Sequence, residues 1–195
     1  MTRVFSFIFF FISVWFGLSS ILSHMVFVYN FSYFYYYIIW IGCFAVSLLL
    51  FLKPIVSMRK VFRERVSTSI SWPFLIKLIN GLTWALPFLL IPFFQKYYPF
   101  LLLTGLTLGN ISTFIFLKKY SKIFSIEQLI TGALLLSSLL IVTIYYNYTD
   151  HYEMILFSTR VMISVSYGIG GLVGYFKNTD DNATAAAAAA SSSLH

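Results

Sequence analysis

Apolar residues fill this chain in long blocks with no alternation of period two. Six blocks stand out: Val4 to Ser23, Tyr33 to Leu52, Pro73 to Phe94, Tyr98 to Leu117, Phe124 to Tyr146 and Met154 to Phe176. Each approaches or exceeds the roughly 20 residues that a helix needs to cross about 30 Å of hydrocarbon. The pattern predicts an all-α integral membrane protein, a bundle of six transmembrane helices in one domain over residues 1–178. A membrane barrel would need strands of about ten residues alternating apolar and polar, which these blocks lack.

The charges lie between the blocks and sort by side. Arg3 precedes the first block; Lys53, Arg59, Lys60, Arg63 and Arg65 follow the second; Lys118, Lys119 and Lys122 follow the fourth; Lys177 follows the sixth. All of these share one side of a six-span model. The other side holds only Lys96, together with Asp150 and Glu153. Cationic loops stay in the cytoplasm, so both termini are expected there, in a plasma-membrane protein. Two sequons, Asn30-Phe31-Ser32 and Asn147-Tyr148-Thr149, fall in the expected outer loops, and Tyr33 to Tyr37 would form an outer aromatic belt. Thr2, Arg3, the first apolar run and Gly17 to Ser20 also fit a cleavable signal peptide, whose loss would leave five helices.

Composition strengthens the membrane reading. Charged residues are 10% of the chain, against about 25% in a soluble domain, and hydrophobic residues are 59%. So few charges cannot cover that much apolar surface in water. The net charge of +7 sits in connectors rather than on one face, which argues against a nucleic-acid partner. Cys43 is the single cysteine, so no intrachain disulfide forms. Residues 179–195, rich in Ala and Ser, read as an expression remnant or flexible tail outside the fold.

The connector after the second block is short, basic and amphipathic. Ile55, Met58, Phe62 and Val66 recur at helical spacing among the cations. Lys53, Arg59, Lys60, Arg63 and Arg65 are therefore expected to meet anionic lipid, the alternative being a cytoplasmic protein partner.

Candidate chemistry is sparse. Asn80-Gly81-Leu82-Thr83 reads backwards as Thr107-Leu108-Gly109-Asn110, mirrored about residue 95. An antiparallel hairpin with a tight turn there would bring Asn80 to Asn110 and Gly81 to Gly109. That arrangement is either a clasp between helices or a polar patch for a solute. Lys77 lies one turn from Asn80, and Trp84 shares its face. Lys77 either snorkels to the headgroups or faces a substrate. Arg160 lies about 9 Å below Met154 along a regular helix, near Thr159 and Ser164, with Glu153 as a candidate partner. An arginine at that depth is expected to be paired, hydrated or bound to a ligand.

Gly105 with Gly109, and Ser166 with Gly170 and Gly174, form small-residue stripes suited to close helix contact. Pro87 and Pro92 interrupt the third block. Glu127 and Gln128 open the fifth block beside Lys118, Lys119 and Lys122, where an interfacial salt bridge is expected. His24, Asp150, His151 and Glu153 share the outer side without metal-ligand spacing, and no cofactor motif or nucleophile–base pair is present.

The leading expectation is a protein handling a small polar or anionic solute near Lys77, Asn80, Trp84, Asn110 and Arg160, as a transporter, a channel or the membrane component of an import system. The alternative is a noncatalytic subunit of a larger membrane complex, in which these residues serve assembly. A lipid-modifying enzyme is the third reading. Convergence of the five residues on a cavity, or their burial in helix contacts, separates the first two.

Overall fold

The computed structural model describes residues 3–32, 34–57, 63, 72–149 and 151–192, and among these it is helical with no strand. The helices are α1 (Arg3–Val28), α2 (Phe34–Ser57), α3 (Phe74–Leu90), α4 (Tyr98–Tyr120), α5 (Ile126–Tyr148) and α6 (Tyr152–Ser192), with a 3-10 turn at Gln95–Tyr97. Five stretches are long and apolar enough to cross a membrane: Ser6–Val28, Phe34–Pro54, Gln95–Tyr120, Ile126–Tyr148 and Tyr152–Lys177. By length and composition these define a multi-pass membrane protein. α3 is apolar but shorter, about 25 Å at 1.5 Å per residue.

The early end of α3 departs from the expected run to Phe94. Pro92 has no N–H to give to the Phe88 carbonyl and its ring crowds that group. Instead Ile91 N–H closes on the Phe88 carbonyl at 3.2 Å. At the far end of the chain, α6 carries helix through the Ala-rich stretch to Ser192, in keeping with alanine's helix propensity. The basic connector expected to meet lipid lies mostly outside the described residues, Arg59, Lys60 and Arg65 among them, while Lys53 and Arg63 are exposed.

The helices pack in the lateral order α2, α1, α6, α5, α4, α3, with α4 also touching α6. α2 has its main contact with α1, and α3 with α4. The most extensive contact joins α1 to α6, the two helices farthest apart in sequence. Small residues make that approach possible: a Cβ on Gly17 would stand 2.8 Å from Ser164 Oγ, and one on Gly168 would stand 2.9 Å from Ser13 Oγ. Ser164 Oγ donates to the Ser13 carbonyl at 2.7 Å. Such stripes bring membrane helices close enough for dispersion and hydroxyl hydrogen bonds to hold them, since hydrocarbon supplies no hydrophobic drive between helices.

A second small-residue face of α6 meets α5. Gly170 and Gly174 leave room for Thr131 and for the side chain of Glu127, which a Cβ on either would strike. Glu127 is 2% exposed. Its carboxylate accepts from Ser6 at 3.3 Å and from Ser125 at 3.2 Å. Of the other glycines expected at packed faces, Gly105 lies against Pro87 and Phe88 of α3 and Gly109 against Trp84. Gly81 is the exception: a Cβ there would meet nothing within 4 Å.

Candidate functional site

The five residues singled out from the sequence do not gather in one place. Asn80 faces α4, where its Oδ1 accepts from Ser112 Oγ at 2.9 Å and Thr113 Oγ1 at 3.1 Å. Trp84 is on the same seam; its Nε1 donates to Thr113 Oγ1 at 3.0 Å and its ring covers Gly109. Lys77 is exposed on α3.

Asn110 points the other way. It is 2% exposed, and its Nδ2 donates to the Tyr167 hydroxyl of α6 at 3.0 Å and to the Leu106 carbonyl at 2.7 Å.

The Asn80–Asn110 and Gly81–Gly109 pairings expected from the mirror are therefore corrected. Between Leu90 and Tyr98 the chain spends residues on turns and the Gln95–Tyr97 3-10 helix, rather than turning tightly at residue 95. The true register is offset by about three residues, close to one helical turn. Asn80 then meets Ser112 and Thr113, and Trp84 takes the place opposite Gly109. Asn110, one residue past Gly109, is rotated by about 100° to the face that meets α5 and α6.

Arg160 does line a cavity. Tyr36, Tyr37 and Trp40 of α2, Tyr98 of α4 and Arg160 of α6 bound an open space of about 420 Å³. Its shape follows from the helix order: α2 leans on α1 and α4 leans on α3 and α5, leaving α6 at the back between them. Arg160 is half-buried, with its guanidinium carbon 5.4 Å from the Trp40 ring centre. This aromatic partner takes the place expected for Glu153. A cation over an indole face is attracted by the ring quadrupole, most strongly where water is scarce.

Trp40 is held by its neighbours on α1. Trp15 and Phe16 approach it edge-on at 5.8 and 5.4 Å, and Trp15 Nε1 donates to the Trp40 carbonyl at 3.2 Å. The ring that faces Arg160 is thus fixed before any ligand arrives. Arg160 Nε is buried and has no hydrogen-bond partner among the described residues; neither has Thr159 Oγ1 beside it. A buried guanidinium nitrogen without an acceptor is costly in a low-dielectric site. An anion seated in the cavity would pair the charge of the guanidinium that lines it, in the planar geometry that arginine favours.

A second open space of about 390 Å³ lies at the same end of the bundle, between Lys96, Tyr146, Thr149, Tyr152 and Ile155. There the Tyr152 hydroxyl donates to the Gln95 carbonyl at 3.1 Å. His24 stacks on Phe157 at 4.4 Å, one turn from Arg160. Among the described residues no three His, Cys, Asp or Glu side chains gather as a metal site, and Asp150 lies outside them.

Trp40 and the three tyrosines were not singled out from the sequence as site residues. Trp40 lies six residues from the start of α2, and Arg160 eight residues from the start of α6. These similar depths were the one available signal. Searches against protein-family models, curated proteins and solved structures return no match.

Proposed function

We propose that this chain is a six-span membrane protein of the cell membrane, with both termini cytoplasmic, that binds an anionic ligand in the cavity around Arg160. One observation carries the reading: a deep arginine, fixed over Trp40 and short of an acceptor at Nε, lines an open cavity walled by hydroxyl-bearing aromatics. α3 counts as the sixth span in this topology, its short helix completed by the turn after Leu90. Tyr98, Tyr36 and Tyr37 then stand at the outer interface, where aromatic rings with polar tips are enriched. Transport, or the membrane part of an import system, is the activity that such a site serves.

The second reading, an assembly subunit of a larger membrane complex, draws support from Asn80, Trp84 and Asn110, which are all engaged in helix contacts. Thermal unfolding in detergent separates the two. Wild type and Arg160→Gln are compared with added inorganic phosphate, with phosphatidylglycerol in the micelle, and with phosphatidylcholine. The site reading expects at least one of the two anions, free or lipid-borne, to stabilise wild type by about 1.4 kcal/mol at tenfold excess over Kd, and neither to move Arg160→Gln. Equal responses in the two proteins overturn it.

A further inference from the structure

We infer that the ligand of the Arg160 cavity is the phosphate-bearing headgroup of a membrane lipid, entering sideways from the bilayer rather than from water. This rests on the anion-binding reading above and names its source.

The first support is depth. Arg160 lies eight residues into α6, about 12 Å along the axis from Tyr152. Its cavity partners Tyr36 and Tyr98 stand in the first turns of α2 and α4, so the cavity runs from the helix ends inward to Arg160, the stretch that a headgroup phosphate and its glycerol esters would occupy in the proposed topology. The second is the shape of the opening. The cavity is walled by α2 on one side and by the start of α4 on the other, and these two helices have their main contacts elsewhere. Tyr37, on the cavity wall, is 70% exposed. The side between α2 and α4 therefore faces the bilayer, and a lipid can enter without crossing the bundle.

The third support is the chemistry of the walls. Apart from one guanidinium, all the lining residues are aromatic: Tyr36, Tyr37, Trp40 and Tyr98. A strongly hydrated free anion gains little from such walls, which cannot replace its water shell. A phosphodiester brings acyl chains that stay in lipid, ester oxygens within reach of tyrosine hydroxyls, and one negative charge to match one arginine. Past the cavity, Ile41 and Phe44, one and two turns beyond Tyr37 on its face of α2, are exposed and apolar and continue the path that acyl chains would follow.

Tryptophan quenching by brominated lipids tests this in reconstituted vesicles. Phosphatidylglycerol and phosphatidylcholine, each with the same brominated acyl chains, are titrated at matched mole fraction into wild type, Trp40→Phe, Arg160→Gln and Arg160→Lys. Inorganic phosphate and glycerol phosphate are then added as soluble competitors. A single cation near the membrane surface gives a roughly five-fold preference for the anionic lipid. The expected result is that preference in wild type, with the excess quenching lost in Trp40→Phe and in Arg160→Gln. Arg160→Lys should retain part of it, and the soluble anions should displace nothing. Lipid preference that is equal in wild type and Arg160→Gln overturns the inference. Displacement by millimolar glycerol phosphate also overturns it, but leaves anion binding at Arg160 standing. The absence of any Arg160-dependent effect of lipid or soluble anion removes both.

Discussion

Arg160 sets its guanidinium carbon 5.4 Å from the centre of the Trp40 ring, while Trp15 and Phe16 hold that ring edge-on from behind. The pair joins α6 to α2, two helices whose main mutual support otherwise passes through α1. Cation–π contacts are worth about 0.5–2 kcal/mol, towards the upper end where desolvated. A double-mutant cycle with Arg160→Gln and Trp40→Leu, read by unfolding in detergent, should give a coupling near 1 kcal/mol. Additive losses would show that the two side chains are merely adjacent.

The α3–α4 seam predicts opposite outcomes at two glycines that the sequence presents as equivalents. Gly109→Ala drives a methyl group into the Trp84 ring, and overpacking of this kind costs about 1–3 kcal/mol. Gly81→Ala meets open space and should be neutral, or up to about 1 kcal/mol stabilising through helix propensity. Melting temperatures of the two variants decide it. A destabilised Gly81→Ala would restore the Gly81–Gly109 crossing.

Asn80 is predicted to act in assembly of the seam and not in ligand binding. A cycle between Asn80→Ala and Thr113→Ala should show a coupling of about 0.6 kcal/mol, typical of hydrogen bonds between membrane helices. Anion-dependent stabilisation should persist in both variants. Loss of that response in Asn80→Ala at intact fold would return Asn80 to the ligand site.

The elements were legible in the sequence because hydropathy over a long window needs no knowledge of partners. The blocks from Val4, Tyr33, Tyr98, Phe124 and Met154 recur as the five long apolar helices. Pro92 could have flagged the shorter α3, since it removes a donor and crowds the preceding turn. The contacts were harder to read. These helices are apolar nearly all round, so no stripe announces which face meets which neighbour. Asn80 and Asn110 illustrate the result: correct depth arithmetic for a tight turn fails once the connector adds a few residues, and a shift of one residue on a helix rotates the side chain by about 100°.

The same limit hid the cavity. Arg160 was conspicuous as a charge within a span, but Trp40 and Tyr98 lie 120 and 62 positions away in sequence, and only the lateral order of the helices brings them together. The α1–α6 contact had a faint trace in advance. Ser13, Gly17 and Ser20 on one helix, and Ser164, Gly168 and Gly171 on the other, recur at intervals of three and four residues.

The proposed topology makes its own prediction. In a Cys43→Ala background, a cysteine at Asn147 should react with an impermeant maleimide in intact cells, and one at Lys119 only after permeabilisation. Both positions are exposed and lie at opposite ends of the bundle. Reaction of the Lys119 position from outside would invert the bundle and place the Arg160 cavity on the cytoplasmic side.

Native mass spectrometry of the protein released from phosphatidylglycerol-containing micelles tests the central claim most directly, because it counts bound molecules. Wild type should retain one more phosphate-bearing adduct than Arg160→Gln under identical activation, while Lys119→Gln, a control at the opposite end, should match wild type. Equal adduct numbers in wild type and Arg160→Gln, with both proteins folded, would contradict an anion site at Arg160.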